Sequence, residues 1–80
     1  MEEGRYDEAV GHLERALEVD PRYSAALLAL GRAHEGEGNR AAATRVYRGG
    51  IEVAAARGDL ATANKMQERL AALEARSNTG

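Results

Sequence analysis

The sequence predicts an all-α fold of four antiparallel helices built as helix-turn-helix repeats, and three observations carry that prediction. A pattern recurs at an offset of 34 residues, pairing Gly4 with Gly38, Ala9 with Ala43, Leu13 with Tyr47, Ala16 with Gly50, Leu17 with Ile51 and Val19 with Val53. A fixed period of this size marks stacked helical units, because one unit cannot bury its own apolar face and must pack on a neighbour. Within each unit the larger apolar residues return at i, i+3 and i+4, the spacing of one helical face, rather than alternating as in a strand. Between these stretches stand breakers: Asp20-Pro21, Gly36-Glu37-Gly38-Asn39 and Gly58-Asp59.

The first helix covers residues 5–19, with Tyr6, Val10, Leu13 and Leu17 on one face and Ala9 and Ala16 among them. Asp7 and Glu8 sit in its opening turn, where unpaired N–H groups favour negative charge. Pro21 stops it, since Pro pushes the residue before it out of the helical conformation. The second helix runs from Ala25 to about Glu35 and carries Leu27, Leu28, Leu30 and Ala33, with Ser24 or Asp20 as its N-cap. Asn39 caps a third helix from Arg40 to about Ala56, which buries Ala42, Ala43, Val46, Tyr47, Gly50, Ile51 and Ala54. Gly49 and Gly50 in its middle cost about 1 kcal/mol each relative to Ala; Gly50 reads as a close backbone approach, and no reason for Gly49 is visible in the sequence. Gly58 ends that helix and Asp59 caps a fourth, whose single apolar stripe is Leu60, Ala63, Met66, Leu70 and Leu73. One greasy side and one wet side, with Thr62, Lys65, Glu68, Arg69 and Glu74 on the latter, suit a helix that terminates a stack.

Eighty residues make one small domain at most, with a modest core. There is no Cys, so disulfides and thiolate metal sites are excluded. No apolar run approaches the roughly 18 residues of a membrane span, and Met1-Glu2-Glu3-Gly4 is acidic where a secretory signal is basic. These features lead us to expect a cytoplasmic setting and no membrane partner. With 13 acidic against 11 basic residues, no overall field draws the chain to nucleic acid or anionic lipid. Without Trp or Phe and with only three Tyr, the core must come from Leu, Val, Ile and Ala, small enough to let helix backbones approach closely.

These residues resemble the tetratricopeptide repeat (TPR) family, whose unit is about 34 residues of helix-turn-helix. The second unit supplies Leu27, Leu30-Gly31, His34 where the family prefers Tyr, Ala43 and Tyr47; the first supplies Ala9, Leu13, Ala16 and Pro21. Gly31 and Ala43 would let the two helices of a unit touch, with Leu30 and Tyr47 filling the space beside that contact. Departures are Leu27 for the family's aromatic, Gly50 for its usual Ala, and Ala55 where its terminal Pro would stand. On this reading residues 1–76 form a single domain. Residues 5–19 are the second helix of a truncated repeat, 24–57 a full repeat, 59–75 a capping helix and 77–80 a flexible tail, and the chain is expected to be a piece of a longer protein.

The resemblance implies a protein-protein interaction scaffold with a concave groove for a peptide or partner helix. Its groove-facing residues would be Ala25, Leu28, Arg32 and Glu35 from the second helix and Asp59, Thr62, Met66 and Arg69 from the fourth. Leu28 and Met66 would give apolar contact, and Arg32, Glu35 and Arg69 would set charge preference. Some relatives grip chaperone C-termini with Lys, Asn and Arg on successive front helices. Here Leu28, Ala29, Asp59 and Ala63 take those places and only Arg32 remains, so a chaperone-tail clamp is not expected. The alternative is a homo-oligomerisation module, in which Tyr6, Ala9 and Leu13 of the first helix expose an apolar strip and pair with another copy.

Other motifs fail on context. His34-Glu35 begins like the zinc motif His-Glu-x-x-His, but Gly38 stands where the second ligand must be and His12 belongs to another helix, so no metal is expected. Gly36-Glu37-Gly38-Asn39-Arg40-Ala41 matches a loose dinucleotide fingerprint, yet a helix rather than a strand precedes it, and no cofactor is expected. Arg40, Arg45, Arg48 and Arg57 give the third helix a basic side, but Glu52 interrupts it and no aromatic row accompanies it for base stacking, which leaves nucleic-acid binding as the weaker alternative. Glu14, Glu18 and Glu52 lie on exposed faces with nothing to raise a pKa, so the chain is not expected to be an enzyme.

Overall fold

The computed structural model describes residues 4–78, with side chains from 5 to 76, as four helices: α1 (Gly4–Val19), α2 (Ser24–Gly36), α3 (Arg40–Ala56) and α4 (Leu60–Asn78). Among the described residues, α1 packs on α2 alone, α3 packs on both α2 and α4, and α2 and α4 also touch each other. The result is a slab 35 × 28 × 17 Å in which α2 and α4 lie side by side and α3 backs both. The first helix-helix connection, Asp20 to Tyr23, holds its shape by an Asx turn in which Asp20 Oδ1 accepts from the Arg22 N–H at 3.2 Å.

The other two connections are three-residue turns of one design. Gly38 (φ 80°) and Gly58 (φ 78°) adopt the left-handed conformation that ends a helix. The N–H of Gly38 bonds Glu35 O and that of Asn39 bonds His34 O; the N–H of Gly58 bonds Ala55 O and that of Asp59 bonds Ala54 O. The last carbonyls of α2 and α3 are thereby satisfied in the same stroke that starts the next helix. Asn39 Oδ1 accepts from Ala42 N–H at 3.2 Å and Asp59 Oδ1 from Thr62 N–H at 3.3 Å, so both expected caps form.

The start of α2 departs from expectation. Its N-cap is Tyr23, in extended conformation and without a side-chain cap bond, so neither Ser24 nor Asp20 fills that role. Ser24 is instead the first helical residue; its buried hydroxyl donates to Asp59 Oδ2 at 2.7 Å. A second tie joins the same turns, because Arg57 Nη1 donates to the Arg22 carbonyl and lies 3.9 Å from Asp20 Oδ2. At the other end α4 continues through Asn78, so Ser77 and Asn78 belong to the helix rather than to the expected tail, and Thr79 and Gly80 lie outside the described residues. Leu60, assigned to the apolar stripe, is instead 63% exposed at the first position of α4.

Each adjacent helix pair is seated by a large side chain lying on a glycine of its neighbour. A Cβ at Gly36 would fall inside the Tyr6 ring, a Cβ at Gly31 inside the Tyr47 ring, and a Cβ at Gly50 within 2.6 Å of Met66 Sδ and 3.3 Å of Leu27 Cβ. The close approach expected at Gly50 is thus a thioether bed. Around these seams the core is mostly small: Ala26, Ala33, Ala42, Ala43, Ala54 and Ala63 are buried with Leu30 and Leu73, and Tyr47 and Met66 are its largest wholly buried side chains. Gly49 differs, for it is exposed and nothing lies within 4 Å of a Cβ built there. Gly49→Ala is therefore expected to stabilise the fold by about 1 kcal/mol through helix propensity, read as a rise in Tm of roughly 4–8 °C by circular dichroism.

Candidate interaction face

Where α2 meets α4, two of the residues assigned to the groove are joined by a bond at the repeat offset. Glu35 and Arg69, which stand 34 residues apart, form a two-point pair: Arg69 Nη2 donates to Glu35 Oε1 at 2.5 Å and Arg69 Nε to Oε2 at 3.1 Å. Tyr47, from α3 behind, donates its hydroxyl to the same Oε2 at 2.5 Å. Three helices therefore meet on one carboxylate. The Arg69 bonds hold Glu35 below the usual carboxylate range; burial opposes this, and the Tyr47 hydroxyl and the charges of Arg69 and Arg32 reinforce it. Burial and the adjoining carboxylate push the Tyr47 phenol well up, so it stays a donor.

A depressed native pKa has a definite sign. Its contribution is complete above the unfolded-state value of about 4.5 and fades as pH falls through the lower native value. Urea midpoints should consequently drop as pH falls below about 4.5, and Glu35→Gln should flatten that part of the profile while lowering stability at neutral pH.

Arg32 is exposed beside this pair, Ala25 is exposed one turn before the half-buried Leu28, and Thr62 on α4 is half-buried. Arg32 lines the same concavity as Glu35 and Arg69. Met66 does not: it is 0% exposed, because its thioether is drawn into the bed that Gly50 opens on α3. Glu35 and Arg69 are present on the face, but they satisfy each other, which leaves Arg32 as its principal charge. Asp59 serves as a cap and as the acceptor of the Ser24 hydroxyl, bonds that also lower its pKa, with the Ser24 bond first.

The Tyr47-Glu35-Arg69 junction is the feature that residue-by-residue reading missed. The repeat offset itself was the signal, since it places Glu35 and Arg69 at equivalent positions of neighbouring helices with opposite charge. On the far side, Arg48 pairs with Glu74 at 2.7 Å and Arg57 with the 20–22 turn, so the basic stripe of α3 is partly consumed within the chain. His34 Nδ1 meets only Glu37 Oε1, at 3.0 Å, and no cluster of three or more metal-ligating side chains occurs among the described residues. No helix among them is long and apolar enough to cross a membrane.

An open stack of paired helices, whose sequence pattern repeats at an offset of 34 residues and whose adjacent pairs are seated by large side chains on glycines, defines a helical-repeat scaffold. The family model described as Tetratricopeptide repeat matches residues 1–63, and the chain belongs to that family. It is 37% identical over 59 residues to a TPR repeat-containing protein of Pseudomonas aeruginosa, a match covering 74% of this chain and 56% of the relative. The solution structure of a Bordetella parapertussis protein superposes with a TM-score of 0.84 at 36% identity, over 90% of this chain and 63% of the other. The chain thus spans somewhat more than half the length of these two relatives. TPR repeats generally mediate protein-protein interaction, and TPR proteins are generally non-enzymatic scaffolds.

Proposed function

We propose that the chain is a scaffold segment, not an enzyme, that holds a peptide or helix of a partner protein against the face shared by α2 and α4. The observation that carries this reading is the Glu35-Arg69 pair, which locks the two helices side by side and makes their outer surface a rigid, shallow bed. Ala25, Leu28 and Thr62 supply a low-relief surface that a side chain can lie on, and Arg32 supplies a charge at its edge. Rigidity lowers the ordering cost of binding, which favours a bed already formed over one that forms around its guest. A peptide-library selection against the immobilised chain tests this. Selected ligands should lose about tenfold or more in affinity with Arg32→Glu, consistent with about 1.4 kcal/mol or more, and little with Arg45→Glu on α3. Equal losses from both variants would mean charge adhesion rather than a groove.

A further inference from the structure

Apart from the phenol of Tyr47, the one buried polar side chain among the described residues is Ser24, which opens α2. Its hydroxyl leaves its own helix and crosses to Asp59, the cap of α4, at 2.7 Å. Asp59 divides its two oxygens between the helices: Oδ1 caps α4 through the Thr62 N–H at 3.3 Å, and Oδ2 holds the first residue of α2. Two positions earlier on each side, Arg57 Nη1 donates to the Arg22 carbonyl. The turns before α2 and α4 are thus joined twice. Ser24 itself is only 7% exposed, so a partner lying on the α2/α4 face does not reach it.

The place of this junction gives it leverage. α2 and α4 touch each other much less than each packs on α3, so apolar packing between them fixes little of their mutual angle. The Glu35-Arg69 pair ties them at one point, near the end of α2. Ser24 stands at the other end of that helix, roughly 16 Å from Glu35 along the axis. One tie leaves a tilt about itself, and a second tie at that distance removes it. A buried hydrogen bond suits the task, because it is directional and its hydroxyl is costly to leave without a partner.

We infer that Ser24 and Asp59 are positioning residues of the α2/α4 face, which set the angle at which the two helices present it to a partner. The inference rests on the partner-binding reading above, but its first readout needs no partner. Residual dipolar couplings of the ¹⁵N-labelled protein report the orientation of α4 relative to α2. Ser24→Ala should change that orientation, and Ser24→Asp, which sets a second carboxylate against Asp59, should change it further. Adding Asp59→Asn to Ser24→Asp should restore it, because the amide nitrogen can donate to the introduced carboxylate while the amide oxygen still accepts from the Thr62 N–H. Asn39→Ala is the control, since it removes a cap bond of α3 and lowers Tm without touching the junction. Its couplings should keep the parent orientation. Library-selected ligands should bind several-fold more weakly to the two Ser24 variants, and with parental affinity to Asn39→Ala and to the doubly substituted protein. Circular dichroism checks that each variant folds; where Ser24→Asp does not, Ser24→Ala decides. An unchanged angle in the folded Ser24 variants would overturn the inference, as would an equal change in Asn39→Ala. A changed angle with unchanged ligand affinity would overturn it too. Failure to select any ligand would count against the binding reading alone, and the couplings would still decide the role of Ser24 and Asp59.

Discussion

Tyr47→Ala is expected to leave the chain largely unfolded at room temperature. The ring is wholly buried, lies on Gly31, and sends its hydroxyl to Glu35. Truncating a buried aromatic to Ala costs about 3–5 kcal/mol, because the space left behind collapses only partly. Half of the buried cluster around it is alanine, Ala43, Ala54 and Ala63, whose side chains are too short to fill the space. Small domains have total stabilities near the low end of about 5–15 kcal/mol, so the loss consumes most of what holds the fold. Tyr47→Phe separates the two roles of the residue. It keeps the packing and removes only a hydrogen bond to a charged group, with an expected cost of about 1.5–3 kcal/mol. Urea unfolding followed by circular dichroism distinguishes the variants: the Phe protein should retain a cooperative transition at lower midpoint, and the Ala protein should show little or none. Similar midpoints for both would mean that the ring is not the keystone argued here.

Gly31→Leu should be comparably severe for the opposite reason. A Cβ alone already overlaps the Tyr47 ring, and the ring has no free end to swing aside because Glu35 holds its hydroxyl. Overpacking a close-packed site costs typically about 1–3 kcal/mol and more when nothing can yield. Leu is otherwise a far better helix former than Gly, worth most of about 1 kcal/mol. A net loss therefore measures the clash and not the helix. The variant should unfold at a distinctly lower urea concentration than the parent and lose near-ultraviolet tyrosine ellipticity. Unchanged stability would show that α2 and α3 do not approach at Gly31.

What the sequence disclosed was mostly local chemistry. Asn39 and Asp59 were legible as caps because capping needs only a short polar side chain a fixed distance before a helix, and Gly58 because its turn demands a left-handed residue. The 34-residue offset disclosed the stacking because repeated packing requires repeated spacing. Ser24 was read as a cap on the same local logic. Its hydroxyl went instead to Asp59, a partner supplied by the fold and 35 residues away. Met66 was assigned to the groove by the family resemblance, although its helical phase placed it on the apolar stripe of α4. Phase cannot show that Gly50 on another helix has opened a space for the thioether. The end of α4 was placed at Ala75, where the apolar stripe runs out, yet a polar helix turn can persist once a packed one precedes it. The face on α2 and α4 was legible through Arg32 and Leu28. The pairing of Glu35 with Arg69, which determines how much charge the face retains, needed both helices in place.

The claim on which the functional account depends is that the outer surface of α2 and α4 is where a partner chain is held. The most direct measurement is amide chemical-shift mapping of a library-selected ligand on the ¹⁵N-labelled protein. The account predicts that Ala25, Leu28, Arg32 and Thr62 move, with Arg40 and Arg45 on α3 unmoved. Shifts concentrated on Arg40 and Arg45, with Leu28 and Thr62 silent, would contradict it.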